Sequence, residues 1–299
     1  MKAVLRSQLG DMQSLATATL CQSSPLKFSW HYHQQFEMVL MIDAAGLRHV
    51  GDSLHEYESG DLVLMGPGLP HRYESSPSRI ATSRGCDFIV VHFDSSLFGT
   101  KALSDPDFST LSTLLHAANR GMAFDLTTVN EVSPLLRKLP ILSAVGRWAA
   151  VLQILEVLSL SNSARALCSA KFSKGAICAD DEEPMNATCR FIQQNLHRTV
   201  SLNEIASVAA MSASTFTRFF RRTSGLSFVQ YVNELKMRTA SMLLLETETP
   251  IKAVASAAGF ASASYFHRKF IQSKGITPAE FRAMHLNQRS LLHPPDIGA

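Results

Sequence analysis

The stretch that most constrains the fold is residues 255–281, ASAAGFASASYFHRKFIQSKGITPAEF. Its apolar residues recur every three or four positions, as in helices, and Gly259 interrupts them early. Glycine readily adopts the left-handed conformation that a tight turn between helices needs. After this turn, Phe266 and Phe270 share one helical face. The opposite, polar face carries Ser264, His267 and Arg268. This pattern predicts a helix-turn-helix.

The same pattern occurs once more upstream, at an offset of 49 and then 50 residues. Ile205-Ala206 corresponds to Val254-Ala255, and Phe216, Arg218 and Phe220 correspond to Phe266, Arg268 and Phe270. Two copies are too few for a solenoid and predict a duplicated module. We expect the two helix-turn-helix units at about residues 201–225 and 250–275.

The upstream copy carries its own helix signals. Ser201, with Glu204 three residues later, predicts a capping box at the start of its first helix. Its second helix should bury one aromatic face, made of Phe216, Phe219 and Phe220. The polar face opposite should present Ser214, Thr217, Arg218 and Arg221.

Between the copies, residues 228–246 (FVQYVNELKMRTASMLLLE) predict one long amphipathic helix. Such a helix would hold the two modules in a fixed relation, so both second helices could enter successive major grooves about 34 Å apart. Arg218 and Arg268 suit bidentate pairing with guanine, whereas Arg221 and Lys269 suit phosphate.

The charge distribution separates this segment from the rest of the chain. The 299 residues carry a formal net charge of only +3. Residues 186–299 hold 13 Lys and Arg against 6 Asp and Glu, while residues 1–185 hold 15 against 19. A basic C-terminal part favours a polyanionic partner for that part alone.

The first 160 residues have a different texture. Short apolar runs at 37–42, 62–65 and 88–93, separated by turn residues, predict an antiparallel barrel or sandwich from about residue 26. Helical periodicity begins near Phe108. It includes a heptad-like stripe of Ile141, Val145, Trp148, Leu152, Leu155 and Ser159. This stripe either packs on its own domain or forms a dimer seam. Residues 161–185 lose periodicity and are expected to be the interdomain linker.

Histidines and a carboxylate recur near the start of the β-rich part. His31 and His33 precede Glu37 in an H-x-H-x₃-E string, and His71 follows a turn-rich stretch. Alternation would place His31 and His33 on one face of a strand. Neutral imidazoles with a carboxylate suit a divalent transition metal. The sequence therefore predicts a polar cluster that binds an effector or a metal ion.

Residues 186–285 resemble the AraC/XylS family of bacterial transcriptional regulators. The resemblance rests on the IA…A pattern of the first copy and on A-x-x-x-GF-x-x-x-S-x-F-x-R-x-F-x-x-x-x-G-x-T-P-x-x-F, here Ala255 through Phe281. It implies a seven-helix DNA-binding domain with two helix-turn-helix units. The base-contacting positions that it implies are Ala213, Ser214, Thr217 and Arg218 in the first unit, and Ala263, Ser264, His267 and Arg268 in the second.

The His31-to-His71 pattern is similar to the two motifs of cupin barrels, in which two His, a Glu and a later His converge on a metal. Three interpretations are open: a pocket for a small polar effector, a metal site used in catalysis or sensing, and side chains satisfied by backbone or water. Arg48 and His55 are further candidate pocket groups, and an exposed loop position is an equal alternative for each.

Together these patterns predict an α+β multidomain protein. A cupin-like β-barrel with appended helices (1–160) would precede an all-α DNA-binding domain (186–285) and a flexible tail (286–299). We expect a transcriptional regulator, an activator rather than an enzyme, whose partners are promoter DNA, a small polar effector such as a sugar, RNA polymerase and a second copy of the chain. The alternative is a metal-dependent cupin enzyme with an incidental basic tail.

The location follows from the N-terminal sequence and the cysteines. Arg6 and Asp11 interrupt the N-terminus before any apolar stretch develops, so no secretory signal is visible. The 5 cysteines show no pairwise motif and fit free thiols in a reducing compartment. We expect a cytoplasmic protein with no membrane partner.

Overall fold

The computed structural model describes residues 15–23, 29–75, 86–98, 103–170, 172 and 179–284. The predicted tail, 286–299, lies outside these residues. The chain divides into two compact units with the main boundary after residue 177. The first is rich in strands and the second is helical, which confirms the predicted α+β multidomain class.

The N-terminal unit contains two antiparallel sheets. Its strands are β1 (Ala16–Ser23), β2 (Phe36–Asp43), β3 (Gly46–Val50), β4 (Ser53–Tyr57), β5 (Leu62–Met65), β6 (His71–Ser75), β7 (Cys86–Phe93), β8 (Met122–Ala123) and β9 (Arg165–Ala166). The larger sheet has the order β1-β7-β2-β5-β8-β9 and the smaller β4-β3-β6. Over the described residues the cupin-like domain is thus two sheets rather than a closed barrel. An isolated antiparallel bridge joins His31, which is outside the strands, to His71 at the start of β6.

The central strands of the larger sheet are buried on both faces. On β2, Met38 and Leu40 belong to a core shared with helices, whereas Val39 and Met41 belong to a second core with residues of the smaller sheet. Burial on both faces explains why these strands are continuous apolar runs in the sequence. Because faces alternate along a strand, Glu37 lies on the same side of β2 as Val39 and Met41.

Three helices cover the side of the larger sheet that carries Met38 and Leu40. They are α1 (Ser109–Ala117), α2 (Leu126–Lys138) and α3 (Ala144–Leu160). Ser143 caps α3 by accepting a hydrogen bond from the Gly146 amide. The predicted stripe starts at Ile141, before α3, continues along α3 and divides in two. Ile141 and Val145 are 85% and 75% exposed, while Leu155 is fully buried in the domain core.

Part of the predicted linker, 161–185, belongs to the domains on either side. Arg165–Ala166 form β9 and pair with β8, because their backbone groups complete an edge that β8 would otherwise leave open. The other end of the predicted linker enters the first helix of the C-terminal unit, which begins at Glu182.

The C-terminal unit contains α4 (Glu182–Gln194), α5 (Leu202–Val208), α6 (Ala213–Ser224), α7 (Phe228–Glu246), α8 (Ile251–Ala257) and α9 (Ala263–Lys274). Residues 278–284 are also α-helical, which gives seven α-helical segments between residues 182 and 284. The long helix α7 has the bounds that the sequence predicts for the connection between the two modules.

Both helix pairs, α5–α6 and α8–α9, are joined by a turn with one left-handed residue. That residue is Ala210 (φ 54°) in the first pair and Gly259 (φ 83°) in the second. Ser201 caps α5 through the Glu204 amide at 3.2 Å. The reciprocal half of the predicted capping box is not formed there, because the Glu204 carboxylate pairs with Arg198 instead.

Across the described residues, the structure has no helix with both the length and the apolar character needed to span a membrane.

Candidate functional site

The second helix of the first helix-turn-helix unit is α6, and it has one apolar and one polar face. Phe216, Phe219 and Phe220 are buried. The predicted residues Ser214, Thr217, Arg218 and Arg221 are all exposed on the opposite side. The three- and four-residue spacing of the phenylalanines therefore gives the orientation expected from the sequence, with the cationic face open to a partner.

Two of the polar groups on α6 are engaged with residues of α6 or with Ser212 just before it. The Thr217 hydroxyl donates to the Ala213 carbonyl at 2.9 Å, and the Ser214 hydroxyl lies 3.2 Å from that of Ser212. Arg218 makes no hydrogen bond or ion pair with the described part of the chain. Its guanidinium is thus open to a partner on this face.

The second unit presents a more varied surface. Ser264, His267 and Arg268 are exposed on α9, with the Arg268 guanidinium 5.6 Å from the centre of the Tyr265 ring. Lys269 donates to the Gln272 side chain at 3.0 Å, so it is held along the helix surface. The exposed surface of α9 thus carries a hydroxyl, an imidazole and a guanidinium.

An open concavity of about 450 Å³ lies beside this face, lined by Ile251, Lys252, Ala263, Ser264, His267 and Arg268. Lys252 was missed by the sequence analysis, although it is exposed in the first turn of α8. The first helix of a helix-turn-helix crosses the DNA backbone, so a cation at that place suits a phosphate.

Lys236 on α7 connects the two helix-turn-helix units of the C-terminal domain. Its ammonium donates to the Arg198 carbonyl, which precedes α5, at 3.3 Å. It also donates to the Gly259 carbonyl in the turn between α8 and α9. The side chain is 7% exposed, and burial lowers the pKa of Lys236. One side chain thus joins the connecting helix to both modules.

In the N-terminal unit, the structure brings His31, His33, Glu37 and His71 together. Their nearest nitrogen and oxygen atoms all lie within 4.8 Å of one another. Glu37 is on β2 and His71 begins β6, whereas His31 and His33 lie in the irregular segment before β2. The strand alternation expected for the two histidines is therefore wrong: the backbone bridge between His31 and His71 positions this segment instead.

A fifth residue, His92, belongs to this cluster and was missed. Its Nε2 lies 2.9 Å from Glu37 Oε2, the oxygen that the His33 Nε2 approaches at 2.8 Å. His92 stands outside the motif but opposite Glu37 in the β2–β7 register. The signal was a single polar residue within the apolar run 88–93, at inward parity with Val90.

The cluster controls the charge of its members. Burial alone would raise the pKa of Glu37, but the charge of His71 and hydrogen bonds from the surrounding histidines hold it well below its ordinary value. Burial, followed by the neighbouring His71, lowers the pKa of His31 to about 3. A carboxylate and a neutral imidazole at one place can bind a cation or a polar ligand.

The two other candidate groups of this unit occupy different places. Arg48 is 1% exposed and pairs with Asp61, so the loop alternative is wrong for it. His55 is exposed on the edge strand β4 and lies 2.8 Å from the Ser53 hydroxyl. Only Arg48 is thus part of the interior of the domain.

Two family models match the chain. Residues 23–139 match the AraC-like ligand binding domain, and residues 205–284 match a helix-turn-helix domain. Together they cover about two thirds of the sequence. The chain thus combines a segment similar to the AraC-like ligand binding domain with a later segment similar to a helix-turn-helix domain.

The chain is also similar to individual proteins. An uncharacterized HTH-type transcriptional regulator of Bacillus subtilis, YdeC, is 23% identical over 85% of this chain and 86% of its own. The regulatory protein PocR of Salmonella typhimurium is 30% identical over 39% of this chain and 37% of its own. A crystal structure of a DNA-binding transcriptional dual regulator from Escherichia coli K-12 is 28% identical over 38% of this chain and 99% of its own, with a TM-score of 0.33. The chain therefore spans little more than a third of the length of PocR.

Proposed function

We propose that this protein is a cytoplasmic transcriptional regulator that binds promoter DNA through its two helix-turn-helix units. The observation that carries the proposal is the repeated placement of cationic side chains. Arg218 and Arg268 are exposed at equivalent positions of α6 and α9, which share the frame of α7. Two outward arginines at matched positions fit two successive major grooves.

Within this proposal the two units have separate roles for base and phosphate contacts. Arg268, His267 and Ser264 read base edges in one groove, and Arg218 pairs with a guanine in the other. Ser214 and Thr217 contribute to the first groove through the free acceptor capacity of their hydroxyls. The phosphates are bound by Arg221, Lys269 and Lys252. Phosphate contacts position the protein, and base contacts give it specificity.

The N-terminal domain supplies the control. Its polar cluster, with His31, His33, Glu37 and His71, binds a small polar effector such as a sugar. The effector shifts the population between two states of the protein, so it must bind them with different affinity. The exposed part of the α3 stripe, with Ile141 and Val145, forms a homodimer seam. On DNA the protein acts as an activator that contacts RNA polymerase.

The direct test is selection of genomic fragments by the purified full-length chain, at a fixed salt concentration because phosphate contacts make affinity salt-dependent. We expect a few fragments from promoter regions that share two short motifs about one helical turn apart. The double variant R218A/R268A should lose this selection.

A matched control is R190A, which removes an exposed arginine of α4 that pairs with Glu183 outside both helix-turn-helix units. It should select the same fragments as the parent chain. Recovery of the same fragments by R218A/R268A would contradict the proposal, since the two arginines would then not contribute to the choice of DNA sequence.

One observation favours a second function: the cluster of three histidines and a glutamate has the donor types of a metal-dependent enzyme. On this alternative the protein turns over a small substrate only when metal is bound, and E37Q abolishes turnover. Promoter selection that is unchanged in E37Q, with no metal-dependent turnover of the effector, would favour the regulator.

A further inference from the structure

We propose that Tyr265 is a positioning residue that holds Arg268 in the orientation in which it reads one DNA base. This role rests on the proposed DNA binding, and it adds a residue that acts on base preference through another side chain. It also separates the two helix-turn-helix units, because the first unit has a threonine at the equivalent position.

The contact between Tyr265 and Arg268 is the first argument. The two residues are three positions apart on α9, so their side chains are neighbours on the helix surface. The Arg268 guanidinium lies over the Tyr265 ring, 5.6 Å from its centre. At this separation the face of the ring attracts the cation. A guanidinium stacked on a ring keeps its N–H donors at its edge, where guanine can accept two of them.

The second argument is that Tyr265 is itself fixed in place. Its hydroxyl accepts a hydrogen bond from Asn233 Nδ2 on the long helix α7, at 3.3 Å. Its ring packs against the core formed by α7, α8 and α9, 6.3 Å from the ring of the buried Phe260. Its backbone N–H donates to the hydroxyl of the cap residue Ser262 at 3.4 Å. A ring held from three sides restricts the side chain that lies on it.

Restricting Arg268 should change specificity more than affinity. An exposed arginine has many rotamers, and fixing it against a base costs conformational entropy. If the ring already holds the side chain, less entropy is lost when the bidentate pair with guanine forms. The other bases do not offer that pair of acceptors, so they gain nothing from the orientation. Tyr265 should therefore sharpen the preference for guanine without raising the affinity for every sequence.

Within the described residues, the first unit has no counterpart of this contact. Its residue equivalent to Tyr265 is Thr215, three positions before Arg218. The helix starts are alike, because a serine cap accepts the backbone N–H of Thr215 at 3.3 Å, as one does for Tyr265. The Thr215 hydroxyl accepts a hydrogen bond from that same serine, Ser212, at 2.9 Å. The difference between the two units thus lies in one side chain and not in the backbone.

The experiment uses the full-length chain, a DNA fragment that it selects, and the single-base variants of the position at which R268A relaxes the preference. Dissociation constants at one salt concentration give the preference for guanine over each other base. We expect Y265L to lower this preference by about 2- to 5-fold, the range of a cation–π contact at an exposed site, with little change in affinity for the other bases. Y265F keeps the ring and should keep most of the preference.

A double variant separates positioning from direct contact with DNA. If Tyr265 acts through Arg268, then R268A/Y265L should have the same base preference as R268A alone. A further loss of preference in the double variant would show that Tyr265 reads DNA by itself, and would overturn the proposal.

The matched control is F191L, which removes a half-buried ring of α4 that lies 5.8 Å from the Arg198 guanidinium, away from both second helices. It should keep the base preference of the parent chain. Far-UV circular dichroism shows whether each variant is folded, and Y265M gives a second test if Y265L does not fold.

Two failures are distinguishable. If the parent chain selects no fragment, or if R268A changes no base preference, the proposed base reading is wrong and the role of Tyr265 is wrong with it. If R268A relaxes the preference while folded Y265L or Y265M matches the parent chain, only the role of Tyr265 is overturned.

Discussion

The two helix-turn-helix units share a turn geometry but differ in what surrounds it. Ala210 and Gly259 both adopt a left-handed conformation at equivalent positions. A Cβ atom at Gly259 would lie 2.0 Å from the Leu196 carbonyl oxygen. The second turn thus packs directly against backbone and needs glycine, whereas the first carries a side chain at the same place. Two turns of the same conformation therefore differ in whether they can accommodate a side chain at the left-handed residue.

The second helices of the two units, α6 and α9, also differ in how many of their polar side chains are already hydrogen-bonded. The hydroxyls of Ser214 and Thr217 on α6 bond within their own unit, while Ser264 and His267 on α9 make no hydrogen bond with the described residues. The concavity beside α9 is also lined by Lys252. If the protein binds DNA as proposed, the second helix-turn-helix unit would read more of the operator by side-chain contacts, and the first would depend mainly on Arg218.

The largest effect should come from G259A. The added methyl group meets the Leu196 carbonyl and must also adopt a left-handed conformation, so we expect a loss of about 2–4 kcal/mol in the free energy of unfolding of the C-terminal domain. Urea titration followed by far-UV circular dichroism measures it. A loss below 1 kcal/mol would mean that the neighbouring chain moves freely, and that the two turns do not differ as described.

K236M should have the next largest effect. It removes a buried ammonium and leaves the Arg198 and Gly259 carbonyls without this donor, which should cost about 1–3 kcal/mol. The same titration measures the change, with K274M, at an exposed lysine of α9, as the control. Equal stability of the two variants would show that Lys236 does not join the units.

R268A and R218A compare the two reading surfaces. If each arginine reads a guanine, each variant should lose about 1–3 kcal/mol of binding free energy and relax base preference at one position. Titration of a selected fragment and its single-base variants measures both changes. A uniform loss on every fragment would instead assign the arginine to a phosphate.

A210G should have the smallest effect and the opposite sign from G259A. Glycine relieves the strain of the left-handed conformation but adds freedom to the unfolded chain, so we expect a gain between zero and about 1 kcal/mol. Thermal unfolding against the parent chain measures it. A clear loss of stability would show that the Ala210 methyl group makes contacts that stabilise the first turn.

The sequence predicted the helical unit closely because each of its signals is local. Serine caps, a turn glycine and phenylalanines at three- and four-residue spacing all act within a few residues. The burial of the apolar runs as β2, β5 and β7 followed for the same reason. The two copies also supported each other, since the same pattern recurs at an offset of 49 and then 50 residues.

The remaining features depend on contacts between distant residues. His92 joins the cluster only through the register of β2 and β7, which no spacing in the sequence reveals. The two residues of the short strand β9 become a strand only because β8 leaves an edge open. The stripe on α3 divides between core and surface because the sheet covers only part of the helix.

The frame around Lys236 has a consequence for the DNA as well as for the protein. If α5–α6 and α8–α9 cannot move independently, the angular phase between their two binding motifs on the double helix is fixed by the protein. One inserted base pair turns one motif by about 35° relative to the other, since a helical turn takes about 10–10.5 base pairs. Such an insertion should weaken binding as much as the loss of an arginine, although every base that the protein reads is still present.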